Sequence, residues 1–516
     1  MDAQLDAIVV GGGIAGMVYA TQLVDLAQGR PVRVRVLSKA PVQVSSSFAA
    51  QGGVAAVMRT EDSVEQHVRD TLTVGAGRND PAVVRLVVSE GPALIRGLIG
   101  IGARFDANAD GELDLAREGG HSAARVVHHR DRTGEEIVRV LHQRMTNTPG
   151  IEVMDGQRAI DLLVDGEGDQ RRCIGVRAVD MRTGEVVDHF ATHVILATGG
   201  AGNLYEHTTN PPTATGDGIA MAIRADVPVR DMAFVQFHPT ALYAKKSGRV
   251  SLISEAVRGA GARLRGADKR PLMTGLHPMG DLAPRNIVAR AIHHEMQQHA
   301  MPHVWLDASP IGSHRFAAEF PGIARDCAAI GLVPGRDLLP VMPAAHYLCG
   351  GVRTDDRGRT ALAGLYALGE CASSGLHGAD RLASNSLLEA LVIPKRAAQA
   401  TLCEGLMAVP VPSRIQRTNQ LASRTLELIP RAMATLTHTM TMHVSIVRTE
   451  EGLHQALREI NHLDRQVRAS WQRRRWSADM MDLRDLLTVA RSVTASALAE
   501  PDSIGAHFIL HGIRSA

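Results

Sequence analysis

The strongest constraint on the fold is a glycine-rich turn that begins at residue 11. Residues 6–10 (DAIVV) form a short β-branched run, GGGIAG follows, and residues 14–24 carry an apolar face with helical spacing. A second strand is predicted at about Val32 to Leu37. The first forty residues therefore predict a right-handed βαβ unit of the dinucleotide-binding type.

The three glycines of the turn have separate roles in such a unit. Gly11 allows the tight turn, Gly13 lets the backbone approach a pyrophosphate, and Gly16 allows close packing of the helix. A glycine turn can also serve backbone geometry alone, so the motif is weak without its context. Ser38 and Lys39 stand where a NAD site usually has an acidic ribose ligand, which argues against a plain NAD site.

The rest of the chain predicts two further units. Residues 193–200 and 364–370 have the continuous apolar character of buried parallel strands. The segment 233–346 between them is rich in His, Pro and Arg and lacks regular βα alternation. Helical apolar spacing runs from about 416 to 495, after a Pro-interrupted linker candidate at 407–414. The predicted fold class is α/β and α+β multidomain, with a Rossmann-like nucleotide-binding domain (1–232 and 347–410), an inserted capping domain (233–346) and a C-terminal helical bundle (411–516).

Composition excludes several classes of protein. A formal net charge of +2 over 516 residues gives no field that would favour nucleic acid. The N-terminus lacks the basic region and long apolar segment of a secretory signal, and no stretch reaches membrane-spanning length. The five cysteines are scattered without a CxxC pair, and the histidines lack metal-ligand spacing. We expect a cytoplasmic protein without a metal site, a membrane contact or a nucleic-acid partner.

A second glycine cluster indicates which dinucleotide is bound. The segment 45–57 (SSSFAAQGGVAAV) combines small hydroxyl side chains with a backbone that can approach a flat ring closely. We interpret this segment as a flavin cradle.

Seven motifs in a fixed order carry a resemblance to a known family. They are SSSFAAQGG, ATGGAGNLY (197–205), GDG (216–218), QFHPTAL (236–242), PRNIVARA (284–291), AAHYLCGGV (344–352) and HGADRLASNSLLEALV (377–392). Together they resemble the fumarate reductase and succinate dehydrogenase flavoprotein superfamily. Within it, AREGGHS (116–122) and AAHYLCGG are similar to the L-aspartate oxidase family. The resemblance spans nearly the whole chain.

The resemblance implies a Rossmann-like FAD-binding domain and assigns its cofactor residues. They are Gly11, Gly12, Gly13, Ile14, Ala15, Gly16, Lys39, Ser46, Ser47, Phe48, Ala49, Ala50, Gln51, Gly52, Gly53, Asp217, Glu370, Ser386 and Leu387. Membrane-bound members of the superfamily carry a histidine in this loop that bonds covalently to the flavin. Ser46 stands at its place, which predicts non-covalent FAD.

A four-carbon dicarboxylate needs paired donors at both ends, and the planar fork of arginine suits each carboxylate. By resemblance, His238 and Ser254 bind one carboxylate, while His346 and Arg381 bind the other with Gln236 nearby. Taken alone, His238 could equally be a satisfied buried histidine, and Arg381 a surface arginine.

Proton transfer is assigned by the same resemblance. Arg285 matches the acid/base arginine of the superfamily, and Glu255 and Arg258 match its proton relay. Because guanidinium is ordinarily a poor proton carrier, this role requires close anionic contacts. A structural ion pair between Glu255 and Arg258 is the competing hypothesis.

Glu118 is the most discriminating residue for substrate choice. A carboxylate beside a dicarboxylate pocket would repel succinate or fumarate but attract the ammonium group of aspartate. The alternative is a solvated ion pair between Glu118 and the adjacent Arg117. His121 in the same loop is a weaker candidate for positioning.

The resemblance implies oxidation of L-aspartate to iminoaspartate, with O2 as acceptor giving H2O2, or fumarate giving succinate. Hand-over of the product to quinolinate synthase would make this the first step of de novo NAD biosynthesis. Two alternatives stay open: a soluble fumarate reductase or other dicarboxylate dehydrogenase, and a non-catalytic flavoprotein.

Several positions depart from the pattern of the family. Asn286 replaces an aspartate, Ala260 a glutamate, Asp380 an asparagine and Pro394 a glycine, while SIGAH (503–507) is a degraded form of SRGxH. The details of proton relay and the rate of catalysis are therefore not carried over from the family.

Overall fold

The computed structural model describes residues 5–405, 418–419, 428–471 and 476–511. Its α-helices are α1 Ile14–Leu26, α2 Val64–Val74, α3 Pro81–Gly100, α4 Thr133–Asn147, α5 Asp217–Arg224, α6 Glu255–Gly259, α7 Arg285–Gln298, α8 Ser313–Glu319, α9 Pro321–Ala328, α10 Asn385–Glu404, α11 Leu428–His443, α12 Glu450–Trp471 and α13 Ala478–Ala499.

The strands are short except in two sheets, the central one and that of the cap. They are β1 Leu5–Val10, β2 Val34–Ser38, β3 Val54–Ala55, β4 Leu115–Ala116, β5 Val126–Val127, β6 Ile151–Asp155, β7 Gln157–Asp165, β8 Arg172–Asp180, β9 Glu185–Leu196, β10 His207–Thr208, β11 Val229–Arg230, β12 Val235–Leu242, β13 Gly248–Arg249, β14 Arg263–Arg265, β15 Val304–Asp307, β16 Leu339–Leu348, β17 Gly351–Arg353, β18 Leu365–Ala367, β19 Ala372–Ser373, β20 Thr418–Asn419, β21 Arg448–Thr449 and β22 Ile509–Leu510.

The central sheet is built on parallel strands in the order β6-β2-β1-β9, with β18 also parallel to β9. The first half of β9 instead pairs antiparallel with β8, which pairs with β7. Residues 7–10 are at most 4% exposed because helices or loops cover both faces of the sheet. The four strands expected from apolar runs are confirmed, and α1 joins β1 to β2 as the glycine motif predicts.

The turn after β1 requires glycine at positions 11 and 16, because a side chain at either position would clash with the backbone. Gly11 has a φ of +115°, and a Cβ atom there would lie 2.1 Å from the carbonyl oxygen of Ala197. A Cβ atom on Gly16 would lie 2.1 Å from the carbonyl oxygen of Gly11. The glycine spacing therefore lets α1 start directly above the sheet, against the strand end at Ala197.

We expect Gly11→Ala to destabilise the protein and to reduce its flavin content. The backbone conformation alone costs about 1–3 kcal/mol for a residue with a side chain, and the clash with Ala197 adds to this cost. Urea unfolding and the flavin-to-protein absorbance ratio measure both effects. Gly29→Ala is the matched control, because Gly29 has a φ of +86° but nothing lies within 4 Å of its added Cβ. Equal losses in the two variants would contradict the role of the clash.

The inserted segment forms a second sheet with its own core, which we call the cap. Strand β16 pairs with β10, β12 and β15, and β14 and β13 extend the two edges. A separate cluster of buried apolar side chains lies under this sheet, formed among others by Val257, Leu264, Val288, Leu306, Phe316 and Val341. The cap sheet recruits β10, which lies before the predicted segment 233–346.

The C-terminal helices α11, α12 and α13 confirm the helical periodicity seen after residue 416. Their buried residues, including Leu436, Leu453 and Leu487, belong to one apolar cluster with Val176 of β8 and Ile219 of α5. These helices therefore pack directly on the part of the molecule that contains the central sheet. The linker candidate 407–414 and the predicted boundary between 410 and 411 lie outside the described residues. Among the described helices, none has the length and apolar character that a membrane span requires.

Candidate active site

A cleft of about 620 Å³ lies between the central sheet and the cap. The glycine turn, the 45–53 loop and the start of α10 form one wall, while β12, α6, α7 and β16 contribute side chains from the cap. Nearly all predicted site residues line this cleft. Five do not: Gly16, Phe48, His121, Gln236 and Arg258. Gly16 packs against Gly11, and Phe48 packs against the core beneath the sheet.

One end of the cleft has the character of a dinucleotide site. The backbone N–H of Ile14 at the start of α1 donates to Ser47 Oγ at 3.1 Å, which fastens the 45–53 loop over the helix N-terminus. Lys39 Nζ donates to Asp217 Oδ2 at 3.1 Å and also to Thr215. Such a helix end with exposed glycine backbone suits phosphate groups.

Several buried polar atoms on this wall have no hydrogen-bond partner within the part of the chain that the structure describes. They are Gln51 Oε1, Thr198 Oγ1, Asp217 Oδ1 and Ser386 Oγ. Buried polar groups are ordinarily paired, so this row of atoms fits an extended polar ligand such as FAD.

Glu370 lies at the end of β18, where its side chain accepts a hydrogen bond from the backbone N–H of Leu348 at 3.1 Å. Burial raises the pKa of Glu370 to about 7. Its carboxyl approaches Gly200, where a Cβ atom would lie 2.2 Å from Glu370 Oε1. This position matches the acidic cofactor residue that the resemblance assigns.

The other end of the cleft holds two arginines that share one amide oxygen. Gln236 Oε1 accepts from Arg285 Nη1 at 3.0 Å and from Arg381 Nη2 at 2.9 Å. The arginines are 8% and 5% exposed, respectively. Burial and the nearby Arg285 charge lower the pKa of Arg381 to about 10, so it remains a cation at neutral pH. Two adjacent buried cations form a site for a carboxylate.

Glu255 connects Arg285 to Arg258. Arg285 Nε donates to Glu255 Oε2 at 2.9 Å, and Arg258 Nη2 donates to Glu255 Oε1 at 2.8 Å. Burial acts to raise the pKa of Glu255, but Arg285 and Arg258 together lower it to about 2. The ion pair between Glu255 and Arg258 is thus present and extends to Arg285, and proton relay along it stays a prediction. Gly119 lets the 116–122 loop reach it, since a Cβ there would lie 2.4 Å from Glu255 Oε1.

Two histidines of the cap face the cleft, the buried His238 and the half-buried His346, with ring centroids 5.0 Å apart. His238 Nδ1 accepts from the backbone N–H of Thr240 at 3.2 Å, which places the proton on Nε2. Burial and the neighbouring Arg285 lower the pKa of His238 and of His346, so both rings are neutral donors or acceptors. Neither His238 Nε2 nor Ser254 Oγ has a partner among the described residues. His238 is therefore not a satisfied core histidine.

Glu118 lies in the same cleft and is 2% exposed. Its Oε2 accepts from Ser384 Oγ at 2.6 Å, whereas Arg117 Nε donates to the backbone of His121 instead. The hypothesis of a solvated Glu118–Arg117 pair is therefore wrong. Burial and the charge of Glu255 raise the pKa of Glu118.

His121 stabilises the 116–122 loop through hydrogen bonds on the side away from the cleft. Its Nδ1 accepts from Arg125 Nη1 at 3.0 Å, and its Nε2 donates to the carbonyl oxygen of Ala383 at 2.9 Å. His121 thereby joins the 116–122 loop to the residue before Ser384, although it does not line the cleft.

Three contacts of the site were absent from the sequence predictions. Ser384, in a left-handed conformation with a φ of +61°, holds Glu118. Thr209 Oγ1 is 2.7 Å from His346 Nδ1, and the guanidinium of Arg381 stacks over the ring of Tyr347 at 4.7 Å. Ser384 and Tyr347 stand inside motifs that were recognised, but Thr209 carries no sequence signal.

Comparison with known proteins agrees with this geometry. A family model for an FAD binding domain matches residues 6–387, and one for the C-terminal region of the fumarate reductase flavoprotein matches residues 433–510. The chain is 43% identical over 512 residues to L-aspartate oxidase 1 of Ralstonia nicotianae, covering 98% of this chain and 94% of that protein.

Two further relatives lie at lower identity. L-aspartate oxidase of Streptomyces coelicolor is 40% identical, with 98% of this chain and 88% of that protein covered. Among solved structures, a quinol fumarate reductase of E. coli is 30% identical with a TM-score of 0.88, covering 98% of this chain and 91% of that one.

Proposed function

The chain belongs to the L-aspartate oxidase family, within the fumarate reductase and succinate dehydrogenase flavoproteins, and from this we propose that it oxidises L-aspartate to iminoaspartate with FAD as cofactor. The observation that carries the choice of substrate is Glu118. It places one buried carboxylate among the cationic and neutral donors of the cleft. Aspartate has two carboxylates for the donors and one ammonium for Glu118, whereas succinate and fumarate have no cation.

The donors divide into two groups that suit the two ends of the substrate. Arg381 and His346 would hold one carboxylate, and His238 Nε2 and Ser254 Oγ would hold the other. Both atoms of the second group are buried and unpartnered among the described residues, so a bound carboxylate would complete their hydrogen bonding. Fixing both ends leaves the Cα–H bond in one orientation, which is worth several powers of ten in rate.

FAD, when bound on the glycine turn and the 45–53 loop, supplies the acceptor for the hydride that leaves Cα. Glu118 Oε1 would hold the ammonium and accept the proton that it loses, because the raised pKa makes this carboxylate a better base than usual. Glu255 would hold Arg285 oriented beside the substrate. Glu118, Glu255 and Arg285 are at most 8% exposed, which limits the access of bulk water to these side chains.

We propose O2, giving H2O2, or fumarate, giving succinate, as the electron acceptor. Iminoaspartate hydrolyses readily, so we propose direct use of the product by quinolinate synthase in the first step of de novo NAD biosynthesis. The cytoplasmic location expected from the sequence stays a prediction.

Anaerobic addition of L-aspartate to the purified yellow protein tests the proposed function. We expect the flavin absorbance near 450 nm to bleach, while D-aspartate leaves it unchanged. If aspartate fails to bleach the flavin but dithionite-reduced protein consumes fumarate, the chain is a fumarate reductase and the proposal is wrong. If neither reaction occurs, the chain is a non-catalytic flavoprotein.

Non-covalent attachment of FAD is a second expectation from the cleft. Ser46 lines the cleft in the loop where a covalent member would have a histidine, and a serine hydroxyl offers no ring nitrogen for such a bond. We expect precipitation with trichloroacetic acid to leave all yellow colour in the supernatant. Colour retained in the washed precipitate would contradict this assignment.

A further inference from the structure

The side chain of Gln236 lies behind the two arginines of the site and bonds to both. An amide has an oxygen that only accepts and a nitrogen that only donates, and the two ends have nearly the same shape. Arginine can only donate, so Arg285 and Arg381 require the oxygen end. Gln236 can therefore bind both arginines only when its amide oxygen faces them.

The other end of the amide is fixed by Asp380. Gln236 Nε2 donates to Asp380 Oδ1 at 2.6 Å and to the backbone carbonyl of Arg381 at 2.8 Å. An ionised carboxylate only accepts hydrogen bonds, so it favours one orientation of the amide. Asp380 is 1% exposed and does not line the cleft, which leaves it no direct contact with a substrate.

We propose that Asp380 is a positioning residue that turns the Gln236 amide so that its oxygen faces both substrate-binding arginines. The inference rests on the proposed function, in which Arg285 and Arg381 serve the substrate. With the amide reversed, its N–H groups would face two guanidinium groups that cannot accept a hydrogen bond. The arginines would then lose their shared partner and repel one another more strongly.

An asparagine at position 380 would not give this control. Its side chain can present either Oδ1 or Nδ2 to Gln236, so on this side only the backbone carbonyl of Arg381 would still require the nitrogen end of the glutamine amide, and the reversed orientation would become more accessible. The substitution keeps size and shape while removing a buried charge, so the protein should fold. Asp380→Asn is therefore a test of orientation rather than of packing.

We expect Asp380→Asn to lower kcat/KM for L-aspartate by about 10-fold or more, the effect of losing one hydrogen bond to a charged group. The dissociation constant of succinate, measured from the flavin spectrum, should rise in parallel. Asp188→Asn is the matched control, because Asp188 is a largely buried carboxylate paired with Arg177 on β8 and β9, outside the cleft. Flavin content and melting temperature show that each variant is folded.

The same substitution in a Gln236→Leu background separates orientation from charge. If Asp380 acts through the amide, Asp380→Asn has no further effect on kcat/KM once the amide is gone. If Asp380→Asn lowers kcat/KM by the same factor in the Gln236→Leu background as in the native chain, the carboxylate acts directly on the arginines and the proposal is overturned. Unchanged kinetics of Asp380→Asn in the otherwise native chain would overturn it as well.

The pH profile provides a readout that a merely structural residue would not change. Burial raises the pKa of Asp380 to about 6, against the opposing effects of Gln236, Arg285 and Arg381. Arg290 and Cys349 also face this carboxyl. Below that pH the protonated group can donate, so kcat/KM should fall as the pH falls through about 6. In Asp380→Asn this fall should be smaller, because only the contribution of Glu118 remains. An identical fall in the variant would contradict the proposal.

Failure of the positioning role can be distinguished from failure of the proposed function. If the unaltered protein does not oxidise L-aspartate, the proposed function is wrong. If it does and Asp380→Asn behaves as the unaltered protein does, only the positioning role is wrong.

Discussion

Replacing Arg381 with methionine is expected to lower kcat/KM for L-aspartate by roughly 10²- to 10³-fold, as for the truncation of one partner in a buried charge pair. Methionine keeps the unbranched apolar stem but removes the fork that would bind the substrate carboxylate and the bond to Gln236 Oε1. Steady-state kinetics at several pH values measures the loss. Arg381→Lys should lose less, because it keeps the charge without the planar fork.

Arg396→Met is the matched control for this substitution. Arg396 bonds to Glu90 and Asp356 on the other side of α10 and does not line the cleft. Its replacement should leave kcat/KM within about twofold, as expected for a residue whose loss costs only a partly exposed ion pair. If both variants lose activity equally, the effect of Arg381 comes from folding and not from substrate binding.

Glu118→Gln is expected to separate aspartate oxidation from fumarate reduction. The amide keeps the shape but removes the charge that holds the ammonium group, so kcat/KM for aspartate should fall by about 100-fold. Fumarate has no ammonium, and its reduction by the dithionite-reduced protein should change far less. Because the pKa of Glu118 is raised, KM for aspartate should also rise as the pH falls, and this rise should be smaller in the variant, where only the contribution of Asp380 remains.

Glu136→Gln controls for the loss of a buried carboxylate. Glu136 is 7% exposed and bonds to Arg139 on the outer side of α4. The Glu136→Gln variant should leave the ratio of aspartate oxidation to fumarate reduction unchanged. Equal losses of aspartate oxidation and fumarate reduction in Glu118→Gln would remove the basis for aspartate as the preferred substrate.

Local sequence patterns predicted much of the fold. Residues 7 to 10, before Gly11, are all apolar, and this pattern is typical of a strand that is covered on both faces. The glycine spacing then determines where α1 begins. The cap was predicted because residues 233–346 lack a regular alternation of strands and helices. The pairing of β16 with β10 was not predicted, because a two-residue strand has no periodicity.

The site was predicted as a set of residues but not as a network. Motifs identified Glu118, Arg285 and Arg381, yet nothing in the sequence showed that Ser384 binds Glu118 across 266 positions. Asp380 was identified only as a departure from the family pattern. Its bond to Gln236 joins residues 144 positions apart, and such a contact follows from the packing of the cap on the central sheet.

Two of the departures from the family pattern, Asn286 and Asp380, lie together in the structure with the 503–507 segment. Asn286 Nδ2 donates to the carbonyl oxygen of Gly505 at 2.8 Å, and the backbone N–H of Ala506 donates to Ala379 at 2.9 Å. Asn286, Asp380 and Ala506 line one small cavity beside the active site. These positions therefore form one local environment, and restoring a single family residue there would leave its neighbours mismatched.

We expect heat to loosen the cap before it unfolds the apolar cluster that joins the C-terminal helices to the central sheet. The cap has a core of its own and contributes His238, Ser254 and Arg285, whereas Glu118 and Arg381 stand on the other side of the cleft. Loosening of the cap would separate the two halves of the substrate site while the larger cooperative unit stays folded. Thermal loss of activity should therefore precede global unfolding, and a substrate analogue that bridges the cleft should protect activity more than it raises the melting temperature.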